Sequence, residues 1–76
     1  MKKSNRIRSH IDENNVELYL MDTKEGYAVL YKDLDAGELI GYCSIYDYSE
    51  IELAENKYKA ELMKFDTDVY FAQYGA

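Results

Sequence analysis

The spacing of apolar residues changes once along the chain, near Ser49, and that change limits the fold to a sheet followed by a helix. In "VELYLM" (16–21), Val16, Leu18 and Leu20 alternate with Glu17, Tyr19 and Met21. Successive strand side chains point to opposite faces, so this run predicts a strand with one buried face. "YAVLYK" (27–32) and "ELIGYCSIY" (38–46) are rich in β-branched and aromatic residues and predict two more strands. Gly41 weakens any helical reading of the third run and marks a candidate bulge. "DTKEG" (22–26) and "DLDAG" (33–37) are short polar turns ending in glycine, which makes the three strands an antiparallel meander. The chain has no proline, so Gly, Asp and Asn must build its turns.

After Ser49 the period becomes helical. Ile51, Ala54, Tyr58, Leu62 and Phe65 recur at spacings of three and four, one face of a helix. Ser49 and Glu52 have the spacing of a capping box at its start. Glu50, Glu52 and Glu55 precede Lys57, Lys59 and Lys64, the order that suits the helix dipole. "DTD" (66–68) stops the helix, and "VYFAQY" (69–74) reads as a short last strand. Residues 1–10 are expected to form a basic, flexible arm, with Ile7 to Ile11 able to pair with the sheet. Residues 11–76 are expected to form a single domain. The expected fold is α+β: a small antiparallel sheet in the order β-β-β-α-β, with one helix packed on one face.

One helix covers one face of a sheet. If the strands run without bulges, the aliphatic set lies beneath it: Val16, Leu18, Leu20, Ala28, Leu30, Leu39, Cys43 and Ile45. The opposite set, Tyr19, Met21, Tyr27, Val29, Tyr31, Ile40, Tyr42 and Tyr46, is then an open face lined with tyrosine. A slip of one residue in any strand exchanges its two sets.

Composition narrows the chemistry. At 76 residues the chain holds one modest core. With one cysteine it cannot form a disulfide within the chain, which fits a reducing compartment. One Cys and one His do not supply a structural zinc site. Self-association is the remaining way to staple so small a domain, so a homodimer is an expectation. No apolar run approaches membrane-spanning length, and the basic start lacks the apolar stretch of a signal peptide; the chain reads as cytoplasmic, with no membrane partner. The first ten residues carry Lys2, Lys3, Arg6 and Arg8 and no acid. The remaining 66 carry all fifteen acids and five bases, a charge of −10.

An acidic body disfavours direct contact with nucleic acid. It suits a basic protein partner instead. Tyr19, Tyr27, Tyr31, Tyr42 and Tyr46 offer a hot-spot surface of the kind that tyrosine favours. Asp33, Asp35 and Glu38, with Asp47, and the helical Glu50, Glu52 and Glu55 offer a second surface. Carboxylates spread over a small rigid domain can imitate a phosphate array, as in phage proteins that block host nucleases. The expected function is therefore a non-catalytic protein-binding module, in its sharper form an inhibitor of a nucleic-acid-handling protein by DNA mimicry. The alternative is a single-stranded nucleic-acid binder that uses the basic arm and the sheet tyrosines. Catalysis has little support. His10 lies in the expected arm, Cys43 is expected to be a buried structural thiol, and no glycine-rich phosphate loop or nucleophile motif is present. "DLDAG" begins like a calcium loop but has Gly37, Glu38 and Ser44 where that loop needs Asp or Asn, Gly and Glu. No cofactor is implied.

Overall fold

A computed structural model describes residues 5–75, without the side chains of Asn5, Tyr42, Cys43 and Ser44. Four strands, β1 (Asn5–Ile11), β2 (Val16–Thr23), β3 (Gly26–Asp33) and β4 (Glu38–Tyr46), form one antiparallel sheet in sequence order. A single turn of 3-10 helix, Tyr48–Glu50, leads into α1 (Ile51–Phe65), and α2 (Thr67–Tyr74) follows. The fold is α+β, with its helical layer on one face of the sheet.

Two elements differ from the sequence expectation. Residues 5–10, expected within the arm, form most of edge strand β1, and the side chains of Arg6, Arg8 and His10 all reach carboxylates. The segment expected as a last strand, 69–74, is helical. Asp66 caps α2 by accepting from the Val69 amide at 3.3 Å, and Val69, Tyr70 and Tyr74 pack on the core at spacings a helix can serve. The beginning of α1 also shifts. The Glu50 side chain accepts from the Asp47 amide at 3.1 Å, so the pair at this helix entrance is Asp47 and Glu50 rather than Ser49 and Glu52.

The turn between β2 and β3 decides which residues meet the helices. Thr23 pairs with Gly26, leaving a loop of only Lys24 and Glu25. Thr23 Oγ1 donates to the Gly26 carbonyl at 2.8 Å and accepts from the Glu25 amide at 3.1 Å. A two-residue loop sets even positions of one strand opposite odd positions of the next. Leu18 therefore pairs with Tyr31, Tyr19 with Leu30, and Leu20 with Val29. A five-residue turn over 22–26 would have given the opposite parity.

The consequence is a correction to the expected faces. Leu18, Leu20 and Val29 are fully buried beneath Ala54, Tyr58 and Leu62 of α1, with Tyr27, Tyr31 and Tyr46 packed around them. Ala28 and Leu30, expected under the helix, lie instead on the helix-free face with Tyr19 and Met21. Ile45 pairs with Ala28 and Leu39 with Lys32, and both are exposed rather than core. Two irregularities in the β3–β4 register make Ile40 and Cys43 the extra residues of β4. Tyr31 packs over Gly41 beside the first of them. The core expected from helical spacing is observed: Ala54, Tyr58 and Leu62 have no exposure. Each fully buried Leu or Val contributes about 1.5–3 kcal/mol of burial free energy.

Gly26 joins this turn to the rest of the sheet. It has φ 140°, and a Cβ there would collide with the Tyr46 carbonyl oxygen. Gly37 also has positive φ, at 70°, but has open space around it. Gly26→Ala is expected to destabilise the fold by about 3 kcal/mol, combining strain with collision, and Gly37→Ala by about 1 kcal/mol from strain alone. Urea unfolding of both variants checks the order, and equal losses contradict the close approach.

Candidate protein-binding surfaces

The tyrosines expected as one open face are divided between the two sides of the sheet. Tyr31 turns to the helices. Its ring meets Phe65 edge-on at 5.3 Å, and its hydroxyl donates to Glu61 Oε1 at 3.0 Å. Lys57 Nζ lies 2.9 Å from the same carboxylate, and these hydrogen bonds, the one from Lys57 foremost, hold Glu61 below the usual carboxylate range. Tyr27 meets Tyr48 edge-on at 5.3 Å, and Tyr46 pairs with Tyr27 across the strands. Among the described side chains of the expected set, Tyr19 alone faces away from the helices, and it is only 4% exposed. The Arg6 guanidinium lies 4.2 Å above its ring while Arg6 Nε donates to Glu17 at 3.0 Å. The Tyr42 side chain lies outside the described residues. The described residues thus offer no continuous tyrosine face.

The acidic residues are also redistributed. Asp33 and Asp35 build structure: Asp33 Oδ1 accepts from the amides of Asp35 and Ala36, and Asp35 Oδ1 accepts from Asn15 Nδ2 at 2.7 Å. Asn15 holds φ 63°, a left-handed conformation that asparagine tolerates, and its carbonyl accepts from the Leu34 amide. This ties the β1–β2 loop to the β3–β4 loop. The α1–α2 junction reaches the same end, where Asp12, Glu13, Asn14, Phe65, Asp66 and Asp68 line a shallow depression open to solvent. Residues 12–15, 33–38 and 66–68 together hold seven acids, Asp12, Glu13, Asp33, Asp35, Glu38, Asp66 and Asp68, and no Lys or Arg. The opposite end, around the β2–β3 turn and the start of α1, holds Asp22, Glu25, Asp47, Glu50 and Glu52 with Lys24.

The three remaining acids lie between the ends, and each is in an ion pair. Glu17 meets Arg6 at 3.0 Å, Glu55 meets Arg8 at 3.5 Å and Glu61 meets Lys57 at 2.9 Å. Glu55, expected beside Glu50 and Glu52 as one acidic surface, is thereby drawn to β1. Asp12, Glu13, Asp66 and Asp68 were not singled out by sequence reasoning. Their signal is present only in hindsight, because it lies in three loops at one end, each of which holds acids and no Lys or Arg.

His10, expected in the arm, sits in β1 with Nε2 3.1 Å from Asp66 Oδ2 and its ring edge-on to Phe65 at 5.9 Å. This contact fastens the β1 end to the α1–α2 junction. Among the described residues, no group of three His, Cys, Asp or Glu is arranged to hold a metal ion, and no helix is long and apolar enough to cross a membrane. No family model, curated protein or solved structure matches the chain.

Two phenols of the helical layer, Tyr58 and Tyr74, have buried hydroxyls without a hydrogen-bond partner among the described residues. Burial pushes the Tyr58 hydroxyl up to about 12, from an ordinary value of 10.0. Between those two values the unfolded chain releases this proton while the folded chain retains it, so stability falls as pH rises from about 10 to about 12. Tyr58→Phe removes an unsatisfied hydroxyl without opening a cavity. At neutral pH the variant is expected to match the parent or exceed it by up to about 1 kcal/mol, and its stability is expected to fall less over the alkaline range. Urea midpoints at several pH values test this, and a loss above about 1 kcal/mol at neutral pH would show that the hydroxyl is satisfied.

Proposed function

We propose that the protein is a non-catalytic binding module that docks its acidic ends onto a basic, nucleic-acid-handling protein, occupying the site its nucleic acid would take. One observation carries the reading: twelve of the fifteen acids lie at the two ends, and the three between them are ion-paired. Helix α1 has fifteen residues and rises about 1.5 Å per residue, so the ends stand roughly 22 Å apart. That spans about six base pairs of duplex at roughly 3.4 Å per step. A rigid carrier presenting negative charge at both ends of such a length suits a cleft lined by Lys and Arg, and it steers the encounter at long range.

The nucleic-acid-binding alternative loses ground. Arg6 and Arg8, half of the basic residues it relied on, are engaged by Glu17 and Glu55, and Tyr27, Tyr31 and Tyr46 face the helices instead of a ligand. Among the described residues, a catalytic role has no arrangement in its favour beyond the His10–Asp66 contact, which joins two structural elements.

The test uses acids whose side chains are in none of the hydrogen bonds or ion pairs described above, with Glu52 and Asp68 in the first turns of their helices. Glu13→Gln/Glu38→Gln/Asp68→Asn neutralises one end and Glu25→Gln/Glu52→Gln the other. A partner captured on the immobilised protein is expected to be displaced by duplex DNA and by raising NaCl from about 0.05 to about 0.3 M, as expected when exposed charges carry the attraction. Each variant is expected to weaken capture at least about tenfold. Capture indifferent to salt, to DNA and to both variants overturns the reading.

A further inference from the structure

We propose that His10 makes docking at the seven-acid end pH-sensitive, so that the hold on a basic partner weakens in mildly acidic solution. The inference rests on the docking role proposed above and adds its regulation. Histidine is the side-chain type that ordinarily changes charge between about pH 5 and 8, while carboxylates, lysine and arginine ordinarily change outside that range. The chain has one histidine, and the fold carries it to one of the two acidic ends.

Strand β1 ends beside the α1–α2 junction. There His10 Nε2 stands 3.1 Å from Asp66 Oδ2, and the imidazole meets the Phe65 ring edge-on at 5.9 Å. The His10 side chain is 18% exposed, so it is held in place but still reached by solvent. Each neighbouring element contributes to its surroundings. Phe65 and Asp66, which it touches, line one depression with Asp68 of α2 and with Asp12, Glu13 and Asn14 of the β1–β2 loop. Across the strands, β2 offers the apolar Leu18. On β1 itself Arg8 is turned to Glu55, and Glu61 of α1 is held by Lys57 and Tyr31.

The charge arithmetic gives the direction. The loops of this end hold seven acids and no Lys or Arg, a charge of −7. A proton on His10 brings the end to −6 and turns the Asp66 contact into an ion pair. Asp66 also caps α2 through the Val69 amide. Once ion-paired, it is withdrawn from an incoming Lys or Arg. The opposite end holds Asp22, Glu25, Asp47, Glu50 and Glu52 with Lys24 and no histidine, so it has no such control. Acidification therefore acts on one end of the molecule only.

A fluorescent decalysine peptide serves as the basic probe, because lysine keeps its charge over the range used. Its binding to the full chain is measured by anisotropy in about 0.05 M NaCl at about pH 7.5 and about pH 5.5. Binding to the parent is expected to be about threefold weaker at the lower pH. His10→Gln, whose amide can still donate to Asp66 but gains no proton, is expected to lose most of that difference. Glu25→Gln/Glu52→Gln, at the other end, is expected to keep it. In the parent, the Val69 amide resonance is expected to follow the His10 ring protons through one titration. Salt-sensitive binding that is equal at the two pH values overturns the inference alone. So does a pH response that survives in full in His10→Gln, or a Val69 amide that ignores the His10 titration. A decalysine peptide left unbound at both pH values overturns the docking role itself, and the inference with it.

Discussion

The two-residue connection between Thr23 and Gly26 governs the rest of the molecule. A turn that short has one register, and that register aligns Leu18, Leu20 and Val29 on the side that α1 covers. The glycine that completes it comes so close to the Tyr46 carbonyl that no other residue fits. One backbone constraint thereby joins three strands at the point where the chain leaves the sheet for the helices. The helical layer then closes over an apolar floor with Ala54, Tyr58 and Leu62 at four-residue spacing.

The same register distributes the polar chemistry. It turns Tyr31 towards Glu61 and Phe65, where it fastens β3 to α1. It places Glu17 and Tyr19 on the helix-free side, where Arg6 serves both, one by charge and one by its flat face. Across the helical side, Arg8 meets Glu55 and His10 meets Asp66. These contacts anchor β1, and they use basic residues that an unstructured arm would have left available. What remains unneutralised is gathered at the loop-bearing ends. The charge asymmetry that supports the proposed function is thus a by-product of how the sheet and helices consume their bases.

Much of this fold was legible because burial period is a local property. The alternation through Val16–Met21 and the three-four spacing of Ile51, Ala54, Tyr58, Leu62 and Phe65 each identify an element without reference to any other. Face assignment in β3 and β4 was not legible, because it depends on loop length and on the unpaired Ile40 and Cys43. "DTKEG" is equally credible as a turn of two residues or of five, and the choice exchanges Val29 with Leu30 and Tyr31 with Lys32. "VYFAQY" misled for a different reason. Its β-rich composition was overridden by Asp66, which caps a helix, and by packing of Val69, Tyr70 and Tyr74 on the core. The acidic ends were hidden because loops distant in sequence meet only once the strand order is known, as Asn15 and Asp35 do. Acids judged by sequence proximity were grouped wrongly: Glu55 is ion-paired to Arg8, while Glu50 holds the helix entrance.

The account rests on strand parity, and nuclear Overhauser contacts between assigned methyl groups measure it directly. The account predicts cross-peaks that join Val29 methyls to Ala54 and Leu62, with Leu30 methyls connected to neighbours of the helix-free face and to none on α1. Cross-peaks from Leu30 to Leu62, with Val29 silent towards α1, would contradict the register and with it the placement of the core.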